Sequence, residues 1–526
     1  MSGSSIAVDP LLSAFTLSDS ISTNARAYPS SPALICNDQV VDWPTLNAEV
    51  SRVANAIQRY GIKPGDRVAF LSHNSIWVYL VLYGAMRSGA VVNGLNAMLH
   101  PMSLSRMVED SNSKLLFVGT GFEELASTIE KALEPESIPT IVYESSAGQG
   151  GQAFTDFVAG ASDELPPELP THSDICNVIY SSGTTGIPKG IMHTHIARLW
   201  FAAQTAVGLR VYPGAKSIIA IPPYSNGMCL MKYPTLLVGG TSILMRTFSA
   251  EAFLQLVQEH QPTHTFLVPT QLQAIFEHPE AQNTDFSCFN CLLSAGAPLA
   301  EAMKSKIMKL AGPRLFELWG FTESVCTIIS PEEMVNRMGS VGRPMLGCEI
   351  RLIDENDEHV SAPGTGEIVG RSLSLMDGYL NRPDVNSEVL WKDKSGVSYI
   401  RTGDIGELDD EGYLYIRGRK KDMMISGGVN VYPIDLETVL IENVEVKDAT
   451  VIAVPHKKWG ETPVGFVVAR EGALINPEEL CTWANKRLGK FQRLSAVVVR
   501  SSDFPRNAMG KVMKNQLVAE YVSGID

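Results

Sequence analysis

The sequence has few charged residues, no long apolar run and no excess of positive charge. Charged residues make up 19% of its 526 positions, and the formal net charge is −14. Because the phosphate backbones of nucleic acids demand a positive protein face, a nucleic acid is not expected as a partner. The most apolar window, residues 77–95, contains Arg87, Ser88 and several glycines, which favours a buried helix and turn over a membrane span. The first residues lack the basic and apolar segments of a secretory signal, so a cytoplasmic location is expected.

Paired cysteines are also scarce. The eight cysteines are scattered singly through apolar sequence, which is typical of reduced, buried thiols. The one close pair, Cys288 and Cys291, has neither a second pair nor nearby histidines, so it favours core packing over a zinc or redox site. Hydrophobic residues make up 45% of the chain, enough to build cores, and its length predicts roughly two to four domains.

Short apolar runs alternate with helical patterns through most of the chain, which predicts an α/β fold. After about Gly339 the pattern changes to short strands and acidic turns, indicating a β-rich subdomain. A compact α+β domain is predicted beyond a break at residues 417–422. The expected elements are strands at 68–71, 114–118, 350–353, 448–455, 465–469 and 496–500, and helices at 76–86, 122–133 and 477–490.

Residues 181–190 combine hydroxyls, glycines and one lysine directly after the apolar run 175–180. With residues 191–193 they are typical of a hairpin whose loop presents backbone amides and hydroxyls to phosphate oxygens, while Lys189 supplies positive charge. The loop is not a Walker loop, because Pro188 stands where the second glycine belongs. A polar surface loop is the alternative. The other candidate phosphate-binding residues are Ser181, Ser182, Gly183, Thr184, Thr185 and Gly186.

Seven motifs follow one another along the chain, at residues 181–190, 294–298, 318–323, 401–404, 418–422, 427–430 and 505–511. They read SSGTTGIPKG, SAGAP, LWGFTE, RTGD, GRKKD, GGVN and PRNAMGK. With these motifs in this order, the chain resembles, over nearly its whole length, the adenylate-forming superfamily. That superfamily includes acyl- and aryl-CoA synthetases, luciferases and nonribosomal peptide adenylation domains.

The resemblance implies a catalytic lysine, a phosphate contact and a magnesium ligand. Joining a carboxylate to the α-phosphate of ATP brings two anions together, so their repulsion must be cancelled by fixed cations and dipoles. Lys511 matches the catalytic lysine that bridges the two, although most lysines simply lie at the surface. Thr322 matches the phosphate contact, and Glu323 matches the ligand of the Mg²⁺ that accompanies ATP.

The remaining nucleotide contacts are also carried over from the resemblance. Asp404 matches the ribose-binding aspartate, whose carboxylate accepts from both ribose hydroxyls. Trp319 could stack on the adenine or form a wall of the acyl pocket, and core packing is an equal alternative. The other residues assigned to ATP and AMP are Gly296, Ala297 and Pro298, which match the adenine-lining segment, together with Gly320 and Arg419.

The resemblance also divides the chain into a large AMP-binding domain, residues 1–418, and a small mobile C-terminal domain, residues 419–526. Lys421 falls at the hinge between them. After adenylation the small domain would turn, so that Gly427 and Gly428 help to form a tunnel for the pantetheine of CoA. Glycines there would allow close approach of a ligand, although a left-handed turn would require them equally.

The acyl pocket departs from the superfamily's pattern. Tyr224 and Ser225 stand near the positions of a common aromatic-histidine pair, and Ser225 cannot supply the charge that binds a substrate ammonium. A carboxylic acid without an α-amino group is therefore favoured. A helix predicted at residues 228–238 would line the pocket with Met228. Lys232 on this helix is expected to be an exposed lysine; if it points inward instead, a substrate with a second anionic or carbonyl group is attractive.

The sequence therefore predicts an ATP- and Mg²⁺-dependent ligase that joins a small carboxylic acid to CoA through an acyl-adenylate. Loading of a separate carrier protein's pantetheine thiol is the first alternative. A luciferase-type oxygenase and a non-catalytic acyl-adenylate sensor are less favoured, because a sensor need not keep the whole adenylation set. The sequence leaves the identity of the acid open, and a homodimer is also left open.

Overall fold

The structure is a computed structural model that describes residues 15–145, 151–181, 189–426, 429–456, 459–490, 492–507 and 510–524. The chain forms two compact units. The first comprises Met1–Met338, Pro344–Glu349 and Arg371–Val389, and the second comprises Gly339–Arg343, Ile350–Gly370 and Leu390–Asp526.

The strands fall into four sheets, two of them in the first unit and two mainly or wholly in the second. In chain order they are β1 (Pro32–Cys36), β2 (Gln39–Asp42), β3 (Arg67–Leu71), β4 (Val91–Gly94), β5 (Ser113–Val118), β6 (Thr140–Tyr143), β7 (Gln152–Ala153), β8 (Ile175–Ser181), β9 (Lys189–Thr194), β10 (Lys216–Ile219), β11 (Thr241–Leu244), β12 (His264–Leu267), β13 (Cys291–Ala295), β14 (Leu315–Gly320), β15 (Cys326–Ile329), β16 (Arg343–Pro344), β17 (Cys348–Ile353), β18 (His359–Val360), β19 (Gly364–Ser372), β20 (Gly378–Tyr379), β21 (Leu390–Lys392), β22 (Ser398–Leu408), β23 (Leu414–Arg419), β24 (Met424–Ser426), β25 (Val429–Val431), β26 (Val446–His456), β27 (Gly460–Ala469) and β28 (Ala496–Arg500).

Helices connect many of these strands. They are α1 (Leu17–Ala27), α2 (Trp43–Arg59), α3 (Ile76–Arg87), α4 (Pro101–Ser111), α5 (Glu123–Lys131), α6 (Phe154–Val158), α7 (His195–Gly208), α8 (Cys229–Leu237), α9 (Ala250–His260), α10 (Pro269–Glu277), α11 (Glu301–Ala311), α12 (Pro331–Met334), α13 (Pro383–Glu388), α14 (Pro433–Ile441), α15 (Pro477–Asn485) and α16 (Lys514–Ser523). No helix in the described ranges combines the length and apolar character needed to cross a lipid bilayer.

The first unit contains two large sheets with parallel centres. The eight-stranded sheet has the order β20-β9-β8-β4-β3-β5-β6-β7, and β3, β4, β5, β6 and β8 pair in parallel. The nine-stranded sheet has the order β16-β15-β14-β13-β12-β10-β11-β1-β2, and its strands from β10 to β14 are parallel. Parallel strands need crossover connections, which the helices supply. This arrangement confirms the predicted α/β fold, and the antiparallel pairing of β8 with β9 confirms the predicted hairpin.

The second unit contains a β-rich sheet and an α+β layer, both of which the sequence pattern predicts, although the resemblance assigns the β-rich part to the large domain. The β-rich sheet has the order β18-β17-β19-β22-β21, with β23 on β22. The other sheet has the order β25-β24-β27-β26, with β28 pairing in parallel to β27. Side chains along its strands pack alternately into two hydrophobic clusters. One cluster includes Val451 and Val467 with residues of α14 and α15. The other includes Val464 and Phe466 with Leu517 of α16. This division arises because successive side chains of a strand point to opposite faces of the sheet.

Several predicted elements differ in their bounds. The helix predicted at 477–490 ends at Asn485, and the helix predicted at 228–238 begins as a 3-10 turn at Asn226–Met228 before α8. The Ser225 hydroxyl accepts from the Gly227 amide in that turn, which provides the local start signal. All eight cysteines are free thiols. Cys291 is buried in β13 and Cys288 packs against a hydrophobic cluster that includes Phe289 and Leu292, which confirms core packing for this pair.

Candidate active site

The turn that carries Thr322 and Glu323 follows the carboxyl end of β14 in the nine-stranded sheet. β13 and β14 are parallel neighbours, with Ala295 opposite Leu318, so the segments after them leave the sheet at the same edge. Gly296 directly follows β13 and has φ of 93°, a backbone conformation that only glycine adopts readily. The predicted adenine-lining segment and the predicted phosphate and metal residues therefore lie at one edge.

Tyr379 holds the carboxylate of Glu323. The Tyr379 hydroxyl donates to Glu323 Oε1 over 2.6 Å; Tyr379 is buried and Glu323 is half-buried. Burial, together with the adjacent Glu323 charge, raises the pKa of Tyr379 well above its usual value, so the phenol stays a donor. Tyr379 reaches this position because β20 pairs with β9, with Tyr379 opposite Ile191.

Lys189 lies beside the same tyrosine. It begins β9, opposite Ser181, and its ammonium is 5.3 Å from the centre of the Tyr379 ring. The loop between these strands, which includes Ser182, Gly183, Thr184, Thr185 and Gly186, lies outside the described residues, as does the side chain of Ser181.

A buried histidine network supports the Thr322 backbone. His193 Nε2 donates to the carbonyl oxygen of Thr322 over 2.9 Å, while Arg198 donates to His193 Nδ1 over 3.1 Å. Because a carbonyl only accepts and a guanidinium only donates, the imidazole is neutral with its proton on Nε2. Burial first, then the Arg198 charge, lowers the pKa of His193 well below its usual value. Asn177 on β8 accepts from Arg198 over 2.7 Å and completes the network.

In the second unit, Asp404 and Arg419 form an ion pair. They are opposite one another on β22 and β23, and Arg419 Nε lies 2.8 Å from Asp404 Oδ1. Asp404 is 6% exposed, and its backbone amide donates to the Thr402 hydroxyl over 3.0 Å. The side chain predicted to bind ribose is thus held by the Arg419 guanidinium.

Lys511 follows a tight turn in the second unit. The Asn507 side chain accepts from the Lys511 amide over 3.0 Å, and the Asn507 amide donates to the Lys511 carbonyl over 2.9 Å. Arg506 donates to the carbonyl of Gly510 over 2.5 Å. The side chain and the backbone of Asn507 therefore both stabilise this turn.

The charges around Lys511 come from the predicted nucleotide site. Burial lowers the pKa of Lys511 to about 8, and the Arg419 charge acts in the same direction. The charges of Asp404 and Asp422 oppose this shift. The charges of Arg419 and Asp404 therefore act on Lys511 within one compact unit.

Lys421 is exposed in the 3-10 turn Lys420–Asp422 that follows β23. The amide of Met423 donates to the carbonyl of Arg419 over 3.0 Å across this turn. Gly427 and Gly428 lie outside the described residues.

A cavity of about 30 Å³ lies between the eight-stranded sheet and α8. Tyr224, Ser225 and Met228, three of the four residues predicted for the acyl pocket, line it, whereas Trp319 does not. Burial raises the pKa of Tyr224 to about 12, so its hydroxyl stays protonated at neutral pH. Gly94 also lines the cavity, and a Cβ on it would lie 2.7 Å from the Tyr224 Cα, so glycine is required for this close approach.

The expectation that Lys232 is exposed is wrong. Lys232 is 2% exposed and lines the cavity, one helical turn from Met228. α8 has Cys229, Lys232 and Tyr233 on its cavity side, and all of its residues from Cys229 to Leu236 are buried. Lys232 points inward because α8 packs against β10, β11 and β12 and faces the cavity with the side that carries this residue. The sequence of an apolar helix does not show which way its one lysine points.

The sequence profile of the AMP-binding enzymes matches residues 21–380, and that of the AMP-binding enzyme C-terminal domain matches residues 435–511. The chain belongs to the AMP-binding enzyme family.

Two relatives and one solved structure illustrate its similarity to other proteins. A feruloyl-CoA synthase from Amycolatopsis sp is 31% identical over 497 residues, which cover 94% of this chain and 96% of that protein. The fatty acid--[acyl-carrier-protein] ligase ScoC from Streptomyces coeruleorubidus is 30% identical over 517 residues, with coverage of 95% and 96%. The structure of ATP-bound MatB from Rhodopseudomonas palustris has a TM-score of 0.85 at 26% identity, with coverage of 96% and 99%. This AMP-binding enzyme is therefore similar to acid ligases over nearly its whole length.

Three residues of this AMP-binding enzyme contact the site but were not predicted from its sequence. Asn177, His193 and Tyr379 act through partners distant in the chain: His193 and Thr322 are 129 positions apart, and Tyr379 and Glu323 are 56 apart. The only local feature that could have indicated one of these residues was a histidine, His193, within the strand after the phosphate loop. Pairing across strands, which brought these residues together, cannot be read from local periodicity.

Proposed function

We propose that this protein is an ATP-dependent carboxylic acid:CoA ligase. It forms an acyl-adenylate with release of pyrophosphate and then an acyl-CoA thioester with release of AMP. The observation that carries the proposal is the interaction of Lys511 with Arg419 and Asp404, the residues assigned to the catalytic ammonium and the nucleotide. Family membership over residues 21–380 and 435–511 supports it.

Lys511 is proposed to join the two anions of the first half-reaction. A carboxylate oxygen attacks the α-phosphorus of ATP, and the bond from that phosphorus to pyrophosphate breaks. The ammonium lowers the repulsion between the carboxylate and the phosphate and stabilises the charge that develops between them. With a pKa of about 8, most Lys511 side chains are protonated at neutral pH. Asp404 is proposed to accept from the ribose hydroxyls, and Arg419 to orient Asp404.

Thr322 and Glu323 are proposed to bind the phosphates and Mg²⁺. The residues present fit this ion, because Glu323 supplies a hard carboxylate ligand that the Tyr379 hydroxyl fixes at 2.6 Å. Bound Mg²⁺ would neutralise phosphate charge. His193 keeps the Thr322 backbone in position through its hydrogen bond to the carbonyl.

The remaining nucleotide contacts are proposed from the family motifs. They are the phosphate loop from Ser181 to Lys189, the adenine-lining segment Gly296, Ala297 and Pro298, and Gly320 with Trp319. The large domain, residues 1–418, and the small domain, residues 419–526, are proposed to alternate between the half-reactions about Lys421. Gly427 and Gly428 would then line the path of the CoA pantetheine.

The cavity beside Tyr224, Ser225 and Met228 is proposed as the acyl pocket. Its lining is mostly apolar, which suits a hydrocarbon or ring, and polar groups are confined to a few positions. Met86 and Met228 are unbranched and can rearrange around a bound acid.

A second candidate acceptor is the pantetheine thiol of a separate carrier protein. The similarity to the fatty acid--[acyl-carrier-protein] ligase ScoC favours this candidate specifically. Both acceptors present the same thiol, so the first half-reaction would be unchanged.

Acid-dependent exchange of labelled pyrophosphate into ATP tests the first half-reaction. A panel of aliphatic and aromatic acids is assayed with Mg²⁺, and the products with CoA are then analysed for thioester and AMP. Exchange with at least one acid, followed by stoichiometric thioester, is expected. Lys447→Ala is a matched surface control, because this lysine only pairs with Asp503 at the exposed side of the second unit.

The absence of exchange with every acid would contradict the enzyme assignment. Exchange without CoA consumption, together with transfer to a supplied holo carrier protein, would favour the carrier-protein acceptor.

A further inference from the structure

Lys232 is a buried cation without an acidic partner. It is 2% exposed and lines the cavity, and its ammonium lies 4.3, 5.7 and 6.0 Å from the ring centres of Tyr233, Tyr83 and Tyr79. It makes no hydrogen bond or ion pair to any part of the chain that the structure describes. Cation–π contacts stabilise an ammonium in part, but they leave its three N–H donors without acceptors.

Lys304, in the same unit, is a buried lysine whose ammonium has both an acidic partner and a hydrogen-bond acceptor. It is 3% exposed, forms an ion pair with Glu317 and donates to the carbonyl of Met338 over 2.6 Å. Burying a charge is costly unless it is paired and hydrogen-bonded, and Lys304 meets both conditions. Lys232 meets neither.

Among the described residues, the other charged and titratable groups near Lys232 include no carboxylate. They are Arg198, which is a second cation, and the thiols of Cys176 and Cys229. Burial raises the pKa of Cys176 to about 12, so this thiol stays neutral. Arg198 is already engaged with Asn177 and His193. The region beside the cavity therefore carries positive charge that the described residues do not balance.

The cavity lies next to the predicted reaction centre. Asn177 and Ile179 on β8 form one wall, and β8 continues into the phosphate loop. Asn177 also lies 3.4 Å from His193, which donates to the Thr322 carbonyl. An acid whose reacting carboxylate is held near Thr322 would extend its far end into this cavity.

We propose that Lys232 pairs with a second carboxylate at the far end of the substrate, so the enzyme activates dicarboxylic acids in preference to monocarboxylic acids. This inference rests on the proposed function and names its substrate class. A carboxylate supplies the acceptors that the ammonium lacks and balances its charge. The existing cavity of about 30 Å³ is large enough for a group of this size, since one water needs roughly 10–15 Å³.

The test compares acids of equal length that differ only at the far end. Adipate is compared with hexanoate and with monomethyl adipate, suberate with octanoate, and 3-(4-carboxyphenyl)propanoate with 3-phenylpropanoate. The measurement is kcat/KM for each acid in pyrophosphate release at saturating MgATP. In at least one series, the wild-type enzyme is expected to favour the dicarboxylic acid by about tenfold or more, since a charged hydrogen bond is lost with its competitor.

The variants isolate the contribution of Lys232. Lys232→Met is expected to lower the dicarboxylate-to-monocarboxylate ratio by about tenfold, and Lys232→Arg to retain most of it. Lys216→Met is the matched control, because Lys216 is an exposed lysine of the same unit whose ammonium contacts only the His260 carbonyl. Thermal stabilisation by MgATP checks that each variant is folded.

Two results would overturn the inference while leaving the proposed function intact. One is a kcat/KM for pyrophosphate release that is equal or higher with the monocarboxylic acid or the methyl ester than with the dicarboxylic acid in every series. The other is an unchanged ratio in a folded Lys232→Met variant, which would mean that the tyrosine rings alone hold a structural lysine. If no acid of either class supports exchange, the proposed function fails and this inference fails with it.

Discussion

Two buried lysines of the first compact unit occupy opposite electrostatic situations. Lys304 is balanced by Glu317, whereas Lys232 lies among tyrosine rings with no carboxylate beside it in the described part of the chain. Burial lowers the pKa of Lys232 to about 8. The residue therefore costs stability in the free protein, which is the signature expected of a side chain retained to bind something.

Lys232→Met is expected to stabilise the free protein. The pKa decrease from 10.5 to about 8 corresponds to a cost of about 3 kcal/mol for the protonated side chain, and methionine fills the same space without it. The measurement is the midpoint of urea unfolding followed by tryptophan fluorescence. Lys304→Met is the contrasting variant: it leaves Glu317 buried and unpaired and is expected to destabilise by about 3–5 kcal/mol.

The stabilisation by Lys232→Met has a defined pH dependence. Because the folded pKa lies below the unfolded pKa, the unfolded wild-type chain binds more protons between pH 8 and 10.5. The free energy of unfolding of the wild type therefore rises with pH over that window relative to that of the variant. The advantage of Lys232→Met should be complete below pH 8 and should shrink toward pH 10.5; an advantage independent of pH would contradict the unpaired ammonium.

At the scale of elements, the pairing of β20 with β9 determines the candidate metal site. β20 contains only Gly378 and Tyr379, yet its register opposite Ile191 and Met192 carries the Tyr379 hydroxyl to Glu323. The same ring lies beside Lys189 at the start of β9. A two-residue strand thus connects the base of the phosphate loop with the turn after β14.

Tyr379→Phe is expected to weaken the use of MgATP. The substitution keeps the ring but removes the hydrogen bond to Glu323, and a hydrogen bond to a charged group contributes about 1.5–3 kcal/mol. We expect kcat/KM for MgATP in pyrophosphate exchange to fall at least tenfold. Tyr60→Phe is the control, because it removes an exposed hydroxyl that donates to Thr140 over 2.9 Å. Equal activity of both variants would mean that Tyr379 does not orient Glu323.

At the scale of the whole molecule, the predicted chemistry is divided between two compact units. Thr322, Glu323 and the cavity residues belong to the first, whereas Asp404, Arg419 and Lys511 belong to the second. The proposed adenylation step would use groups of both units, and the proposed thioester step would use Gly427 and Gly428 of the small domain instead. The two proposed half-reactions should therefore be separable by mutation.

The Lys511→Ala variant is expected to lose the adenylation step and keep the thioester-forming step. Loss of the ammonium that joins the two anions should lower the rate of adenylation by at least about a hundredfold. Thioester formation from supplied acyl-adenylate and CoA should continue at a comparable rate, because Lys511 is not assigned to that step. Single-turnover measurements of each half-reaction provide the check, with Lys447→Ala as the surface control. Equal loss in both steps would contradict the division.

Local patterns were sufficient for the architecture and for the positions of the motifs. Apolar runs of strand length predicted β3, β5 and β8, and the helical pattern after β3 predicted α3, because backbone periodicity is a property of neighbouring residues. The hairpin of β8 and β9 was predicted from its turn residues. Roles for Lys511 and Asp404 were predicted only through the resemblance, since neither residue is distinctive alone, and these roles remain predictions.

The sequence by itself determined the α/β fold, the family and the types of residue available to the site. Only the tertiary structure decided that Lys232 points inward, that Tyr379 fixes Glu323 and that His193 supports Thr322. The physical reason is that burial and hydrogen bonding depend on which elements meet in space, and these pairs are brought together by strand pairing and helix packing across long stretches of chain. The local sequence around a lysine in an apolar helix does not determine whether its side chain faces solvent or a cavity.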